Sequence, residues 1–354
     1  MDINFQIVKI FFLTTFSFLI SMAWTPLLSH FLYKYRLEKT IRNEGTTPVY
    51  SQLHKHKAGT PTMGGLLFWV TTTVLTLFFS FLSNFSSLPA WLRQLNFLTR
   101  SETLLPLGAL IASALVGLLD DWFNIRRQGG GKGGGLTVKH RLIIFTLIAL
   151  VGAWWFYFKL DWDVVHIPFL GTFAIGAWYI LFFVFVIVAT SFSVNTIDGL
   201  DGLAAGSVLS AFTALGAIGF IQGDYNLVAF CGVLVGSLLA FLWFNIPPAR
   251  FFMGDTGSMS LGVTLGIVAL LVHAEFYLPL IALMLVLESC SVIIQIVYRK
   301  LFHRKIFISA PFHHHLEAIG WPESKIVMRF WVISAVTAVA GLILALMDLG
   351  LRIA

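Results

Sequence analysis

Charge is the scarcest property of this 354-residue chain. Lys and Arg number 23 and Asp and Glu 17, so charged residues make up 11% of the sequence, against roughly a quarter in ordinary soluble domains. A water-soluble globule must cover its core with polar surface, and a chain that is 58% hydrophobic cannot do so. Soluble fold classes are thereby excluded. Cysteine is nearly absent as well. Cys231 and Cys290 lie far apart inside apolar runs, which excludes a disulfide framework and any cysteine-based metal spacing, and both read as core packing. Repeats, low-complexity tails and a second soluble domain are missing too, so residues 1–354 read as one integral membrane domain. The one biased segment is GGGKGGG at 129–135. It lacks the Ser or Thr that a phosphate-binding loop places after its Lys, and reads as a flexible linker.

What the chain has in abundance is apolar runs of roughly 18 to 25 residues, the length an α-helix needs to cross the hydrocarbon layer. Ten are expected, over 8–32, 62–83, 103–121, 140–158, 173–194, 202–221, 227–244, 258–273, 277–299 and 325–347. Transmembrane barrels use short alternating segments and are excluded. The first run is too long for a signal peptide and no small-residue cleavage site follows it, so it is expected to remain as the first helix. Lys and Arg are retained on the cytoplasmic side of membranes. Placing the loops 33–61, 122–139, 245–257 and 300–324 together, with the span ends that adjoin them, puts 18 of the 23 Lys and Arg on one side. The expected fold is therefore an all-α polytopic membrane protein of about ten transmembrane helices with both termini extracytoplasmic. The net charge of +6 reflects this topology and an attraction to membrane lipids or phosphates; no nucleic-acid partner is implied.

With that orientation, Asp120, Asp121, Asp198, Asp201 and Asp255 all fall on the cytoplasmic face. Carboxylates at a membrane edge are costly unless paired, solvated or bound to a cation. Read singly, each is a solvated helix cap; five on one face point to a site. Converging carboxylates need a positive charge between them, and all-oxygen ligands suit Mg²⁺ or Mn²⁺, Mg²⁺ using one or two carboxylates and completing its shell with water and substrate phosphates. A Mg²⁺-phosphate site fits best. Gly199, Gly202, Gly254 and Gly257, in DGLDG and MGDTGS, let backbone N–H groups approach an anion, or are simply turn glycines. His313, His314 and His315 add a run of histidines to this face. Adjacent helical residues point about 100° apart, so the run suits phosphate or sugar binding better than zinc chelation, with plain surface histidines as the alternative. His54 and His56 read as solvated loop residues. Glu288, in the ninth span, marks a kink, a buried hydrogen bond or an ion path, with a structural role favoured.

The segments HKHKAGTPTMGG (54–65), GLLDDW (117–122), NTIDGLDGLAAG (195–206), NIPPARFFMGDTGSMSLG (245–262) and RKIFISAPFHHHLEAIGWPESKIVMRFW (304–331) closely resemble the phospho-N-acetylmuramoyl-pentapeptide transferase family. That family belongs to the polyprenyl-phosphate N-acetylhexosamine-1-phosphate transferases, ten-span proteins with a cytoplasmic active site. PTMGG and the APxHHHxE loop look specific to the muramyl-peptide branch. The resemblance implies transfer of phospho-MurNAc-pentapeptide from UDP-MurNAc-pentapeptide to undecaprenyl phosphate in the bacterial inner membrane, yielding lipid I and UMP in peptidoglycan synthesis, with Mg²⁺ as cofactor; a homodimer is compatible with it. By motif position, Asp255 holds Mg²⁺, and Asp120 and Asp121 act near the lipid phosphate, one of them as base. Asp198, counted with them as catalytic, joins Asp201, Asn195, Gly199, Leu200, Asn245 and Phe252 around the uridine and diphosphate. Lys57, Thr62, His313, His314 and His315 line the rim. Asn124 stands where the family often has the lysine of DDxxK, and Lys139 or Arg141 supplies the basic residue further along. Arg126, Arg127 and Lys132 are further sources of positive charge there.

A sister transferase using UDP-GlcNAc would share the carboxylates, and the histidine loop argues against it. A secondary transporter, the reading from another class, binds near the bilayer midplane between inverted repeats, whereas these carboxylates lie at one edge.

Overall fold

The computed structural model describes residues 3–38, 57, 59–100, 102–130 and 134–353. His54, His56 and Lys132 lie outside the described residues. In chain order the elements are α1 (Ile3–Lys34), α2 (Leu66–Leu82), α3 (Ala90–Arg93), α4 (Leu104–Ile125), α5 (Val138–Lys159), β1 (Val164–Ile167), β2 (Gly171–Ala174), α6 (Trp178–Ile197) and α7 (Leu203–Gln222). They continue with α8 (Tyr225–Asn245), α9 (Gly254–Leu271), α10 (Leu278–Ile281), α11 (Leu283–Phe302), α12 (Phe312–Ala318) and α13 (Glu323–Ile353).

The chain is an all-α polytopic membrane protein. Each of the ten expected spans has a helix, and among the described residues eight helices are long and apolar enough to cross a membrane. The other two are α2, with 17 residues, and α11, which carries Glu288, Arg299 and Lys300. The outer helices α1, α5 and α13 expose Phe11, Leu27, Leu147, Val151, Val332 and Val336, a surface that suits lipid and not water.

Three boundaries differ from expectation, each for a local reason. The fifth span does not start at 173: β1 and β2 pair antiparallel in a short hairpin, Val164 opposite Ala174, before α6 begins at Trp178. The hairpin is fastened to the last helix, because His166 Nε2 lies 2.6 Å from Asp348 Oδ2 and the Phe169 N–H donates to Asp348 Oδ1 at 2.9 Å. The ninth span is broken into α10 and α11 at Ala282. The eighth starts at Gly254, four residues early, because a carboxylate from another helix holds its first turn. Cys290 also departs from its expected core position and is exposed on α11, whereas Cys231 is buried.

Helix α9 is the axis of the bundle, with every residue buried and with α2, α4, α6 and α7 packed around it. Its small residues make this possible. Gly262 and Gly266 are spaced one turn apart and face α6 so closely that a Cβ on Gly262 would lie 2.6 Å from the Ser191 Cα, the small-xxx-small mode of membrane-helix packing. Its hydroxyls do not go unsatisfied: Ser260 and Thr264 donate back to the carbonyls of Gly257 and Ser260.

Candidate active site

The site is built where α4 meets the start of α9. Gly117 and Asp121 are four residues apart and share a face of α4. At Gly117 a Cβ would overlap the carbonyl oxygen of Asp255, so its absence lets α9 come against α4 backbone to backbone. One turn on, the Asp121 side chain reaches the helix N-terminus: Oδ1 accepts the N–H of Asp255 and Oδ2 that of Thr256, both at 3.0 Å. A carboxylate suits this place, since the first N–H groups of a helix lack intrahelical partners and the helix dipole is positive there. Asp120 and Asp121 do not end the span as expected. They lie inside α4, which runs on to Ile125, and both are fully buried.

Asp255, in the first turn of α9, faces Arg141 from the first turn of α5. The Arg141 Nη2 donates to Asp255 Oδ2 at 2.9 Å, its Nη1 donates to Asn195 Oδ1 at 2.9 Å, and its Nε lies 2.8 Å from Asp120 Oδ2. The Asn195 amide closes the ring by donating from Nδ2 to Asp255 Oδ1 at 2.8 Å. One guanidinium thus balances two buried carboxylates, a task for which its planar fork is suited and an ammonium is not. The other oxygen of Asp120 accepts the Leu136 N–H at 2.6 Å. The end of the Gly-rich segment therefore has a fixed job that a plain linker would not: Gly135 leaves room for that carboxylate.

The chain at 57–65 reaches the same end of the bundle through backbone pairing with the loop before α9. The Phe252 N–H donates to the Pro61 carbonyl, and Gly64 and Gly65 donate to the carbonyls of Phe252 and Met253, all at 2.8 Å. This brings Thr62, Lys57 and Phe252 to one place. The Thr62 hydroxyl is fully buried without a hydrogen-bond partner among the described residues, and it lies beside Gly254, where a Cβ would come within 2.7 Å of Oγ1. Lys57 Nζ contacts Asp201 Oδ1 at 2.7 Å and Glu323 Oε1 at 2.5 Å, and sits 6.0 Å above the Phe252 ring. Burial alone would lower the Lys57 pKa, but Asp201 and Glu323 outweigh it and hold the ammonium above its ordinary value. Asp201 also accepts the Ala249 N–H at 3.0 Å.

Between α6 and α7, Asp198 caps the C-terminal end of α6 and the DGLDG turn follows. Asn245 pins that turn, accepting the Gly202 N–H at 2.9 Å and donating to the Phe251 carbonyl at 2.9 Å, while the Trp331 indole donates to the Gly202 carbonyl at 3.0 Å. Leu200 is buried in the core. The three histidines diverge. His313 turns inward to Glu288 and against Gly199; His314 lies 2.6 Å from Glu317; the His315 ring packs edge-on to Phe307.

The structure thus gathers Asp120, Asp121, Asn195 and Asp255 at Arg141; Lys57, Asp201 and Phe252 at Glu323; and Gly199 at His313. Among the described residues, no three His, Cys, Asp or Glu side chains form a group that could hold a metal ion. The donor chemistry nonetheless fits Mg²⁺, which needs one or two carboxylates and takes the remainder from water and phosphates. Sequence reasoning left Lys139 and Arg141 as equals and overlooked Glu323. A signal existed for the latter: an acidic residue directly after Pro322 at the head of the last apolar run marks a helix start.

A polytopic membrane protein with an acidic, arginine-bridged site at one end of its bundle is the class that fold and site define, and residues 103–273 match the family model for Glycosyl transferase family 4. Residues 57–68 match signature 1 of the phospho-N-acetylmuramoyl-pentapeptide-transferases. The chain is 38% identical over 330 residues to the phospho-N-acetylmuramoyl-pentapeptide-transferase of Chloroflexus aggregans, covering 90% of this chain and 84% of that one. It is 37% identical over 325 residues to that of Listeria innocua, covering 91% and 94%, and 37% identical over 334 residues to that of a Geobacillus species, covering 92% and 94%. This chain belongs to the phospho-N-acetylmuramoyl-pentapeptide-transferase family.

Proposed function

We propose that the chain transfers phospho-MurNAc-pentapeptide from UDP-MurNAc-pentapeptide to undecaprenyl phosphate on the cytoplasmic side of the bacterial inner membrane, releasing UMP and forming lipid I. The observation that carries this reading is the arginine-bridged ring of Asp120, Asp255 and Asn195 at one end of the bundle, beside a buried Thr62 hydroxyl that has no partner among the described residues. A phosphate oxygen of the lipid attacks the sugar-bearing phosphorus of the nucleotide. The bond from that phosphorus to the bridging oxygen breaks, and its electrons leave with UMP. One pyrophosphate link is made as one is lost, so catalysis reduces to positioning two anions and balancing charge.

Asp255 would hold Mg²⁺, which when bound neutralises the phosphate oxygens and polarises the phosphorus under attack. Arg141 keeps Asp120 and Asp255 from repelling each other and has further N–H groups to offer a phosphate. Of the aspartate pair, Asp121 is bound through both oxygens to the start of α9; Asp120 would take a proton from the lipid phosphate only once a phosphate draws the Arg141 guanidinium off it, since that cation holds its basicity down. Lys57 and Phe252 form a cationic and aromatic wall suited to a nucleotide.

The test is the purified full-length chain with both substrates in detergent, following UMP and lipid I. UMP release is expected only when UDP-MurNAc-pentapeptide and undecaprenyl phosphate are both present, lost on chelation and restored by Mg²⁺ or Mn²⁺. Equal turnover with UDP-GlcNAc would replace this reading with the sister transferase, and full activity in chelator would remove the metal from it.

A further inference from the structure

Glu288 is a carboxylate in the middle of a span, fully buried, with no part in the mechanism above. Leaving a charge there would be costly unless something compensates it. Among the described residues, one compensates it. Glu288 Oε1 accepts the backbone N–H of His313 at 3.0 Å, and Oε2 lies 3.0 Å from His313 Nδ1; the imidazole is as fully buried as the carboxylate. A carboxylate on Nδ1 fixes a proton there, and the bond to the backbone N–H fixes where the ring sits relative to its own main chain. Ring orientation and tautomer are therefore set from α11, across 25 residues of sequence.

The other ring nitrogen is the unusual one. His313 Nε2 is buried and has no hydrogen-bond partner among the described residues. It is pressed against Gly199, where a Cβ would overlap it, in the turn that follows Asp198. A buried nitrogen left without a partner is costly, and such a group calls for an explanation, of which uptake by a ligand is one. An imidazole clamped through Nδ1–H donates from Nε2 only as the cation, and Glu288 carries the counter-charge for that form. The cation suits one kind of partner, an anionic oxygen.

We propose that Glu288 is a positioning residue that holds His313 with its proton on Nδ1 and its Nε2 at the Gly199 turn, where Nε2 engages a diphosphate oxygen of the nucleotide substrate. This rests on the reaction proposed above for its substrate, but the geometry of the pair does not. The two parts can be tested apart.

The first measurement uses no substrate. In the full-length chain with ¹⁵N-labelled histidine, the His313 resonances, assigned by their loss in His313→Asn, are expected to show Nδ1 protonated. A neutral ring carrying its only proton on Nε2 overturns the positioning role, whatever reaction the protein catalyses. The second is a double-mutant cycle on turnover. Glu288→Gln and His313→Asn are each expected to lower kcat by at least ~10-fold, as loss of a group that orients a site ligand does. Together they should cost little more than His313→Asn alone, because Glu288 acts through the ring. Losses that multiply in the double variant, or near-normal kcat in folded Glu288→Gln, overturn the proposal. Should Glu288→Gln fail to fold, the nitrogen measurement on the unaltered chain decides the matter.

Discussion

Asp121 holds the first turn of the helix that carries Asp255: its two oxygens accept the N–H groups of Asp255 and Thr256, each at 3.0 Å. Two neighbouring aspartates of α4 therefore have different work. Asp120 faces the guanidinium of Arg141, and Asp121 fixes the backbone from which Asp255 projects. Removing a helix cap costs about 1 kcal/mol. Asp121→Ala is expected to speed amide hydrogen exchange over 254–258 and to lower the melting temperature, while Asp120→Ala leaves that segment's exchange unchanged. Identical exchange in the two variants would refute the cap.

Gly117 permits the same contact from one turn away. Gly117→Ala forces α4 and α9 apart, and overpacking of this kind costs ~1–3 kcal/mol. Gly108, on the same helix, has no atom of the described residues within 4 Å of where its Cβ would be. Gly108→Ala is expected to be silent in both thermal stability and turnover, and Gly117→Ala to impair both. Equal behaviour of the two would mean that close approach at Asp255 does not matter.

Arg141 is required as a fork. Arg141→Lys retains the charge but cannot span Asp120, Asn195 and Asp255 together, and is expected to lose at least ~10-fold in kcat. Turnover close to that of the parent chain would show that only the charge counts.

The spans and the acidic face were legible because bilayer thickness dictates run length and because Asp near an apolar run is conspicuous. The β1–β2 hairpin was not: VVHI and GTFA are four-residue segments, short enough to merge with the apolar run of α6. The cap made by Asp121 was hidden for another reason. It joins residues 134 and 135 positions apart, and depends on how closely two helices pack at Gly117. The favoured structural reading of Glu288 captured its buried hydrogen bond but not its partner, since nothing in the local sequence ties α11 to the histidine run.

The cluster of Lys57, Asp201 and Glu323 sets a pH signature. The Asp201 and Glu323 carboxylates hold the Lys57 pKa above its ordinary value of 10.5. For a base held by partners in the folded state, stabilisation is fully present below the unfolded pKa and lost as pH rises through the folded one. The stability difference between the parent chain and Lys57→Met is thus expected to stay constant from neutral pH to about 10 and to shrink above 10.5. A difference that already shrinks between pH 7 and 9 would refute the arrangement.

The last prediction concerns whether an aspartate takes the phosphoryl group covalently. Carboxylates serve as nucleophiles in some phosphoryl transfers, through an oxygen with a lone pair free to attack. The aspartates here are otherwise engaged. Asp121 accepts two backbone N–H groups, Asp120 contacts Arg141 and the Leu136 N–H, and Asp255 accepts from Arg141 and Asn195. Hydrogen-bond donors and cations draw electron density from an oxygen, which suits a group that holds charge in place and weakens one that must attack. Direct in-line transfer between two substrates held side by side needs no such attack. The two schemes differ when undecaprenyl phosphate is absent: a covalent intermediate lets labelled UMP exchange into UDP-MurNAc-pentapeptide, and direct transfer does not. Trace lipid supports exchange by simple reversal, so the protein must be stripped of co-purified lipid first. No exchange is expected in that preparation, with exchange returning when undecaprenyl phosphate is added back; exchange in lipid-free protein, with the phospho-MurNAc-pentapeptide group found bound to Asp120, Asp121 or Asp255, would establish the two-step route instead.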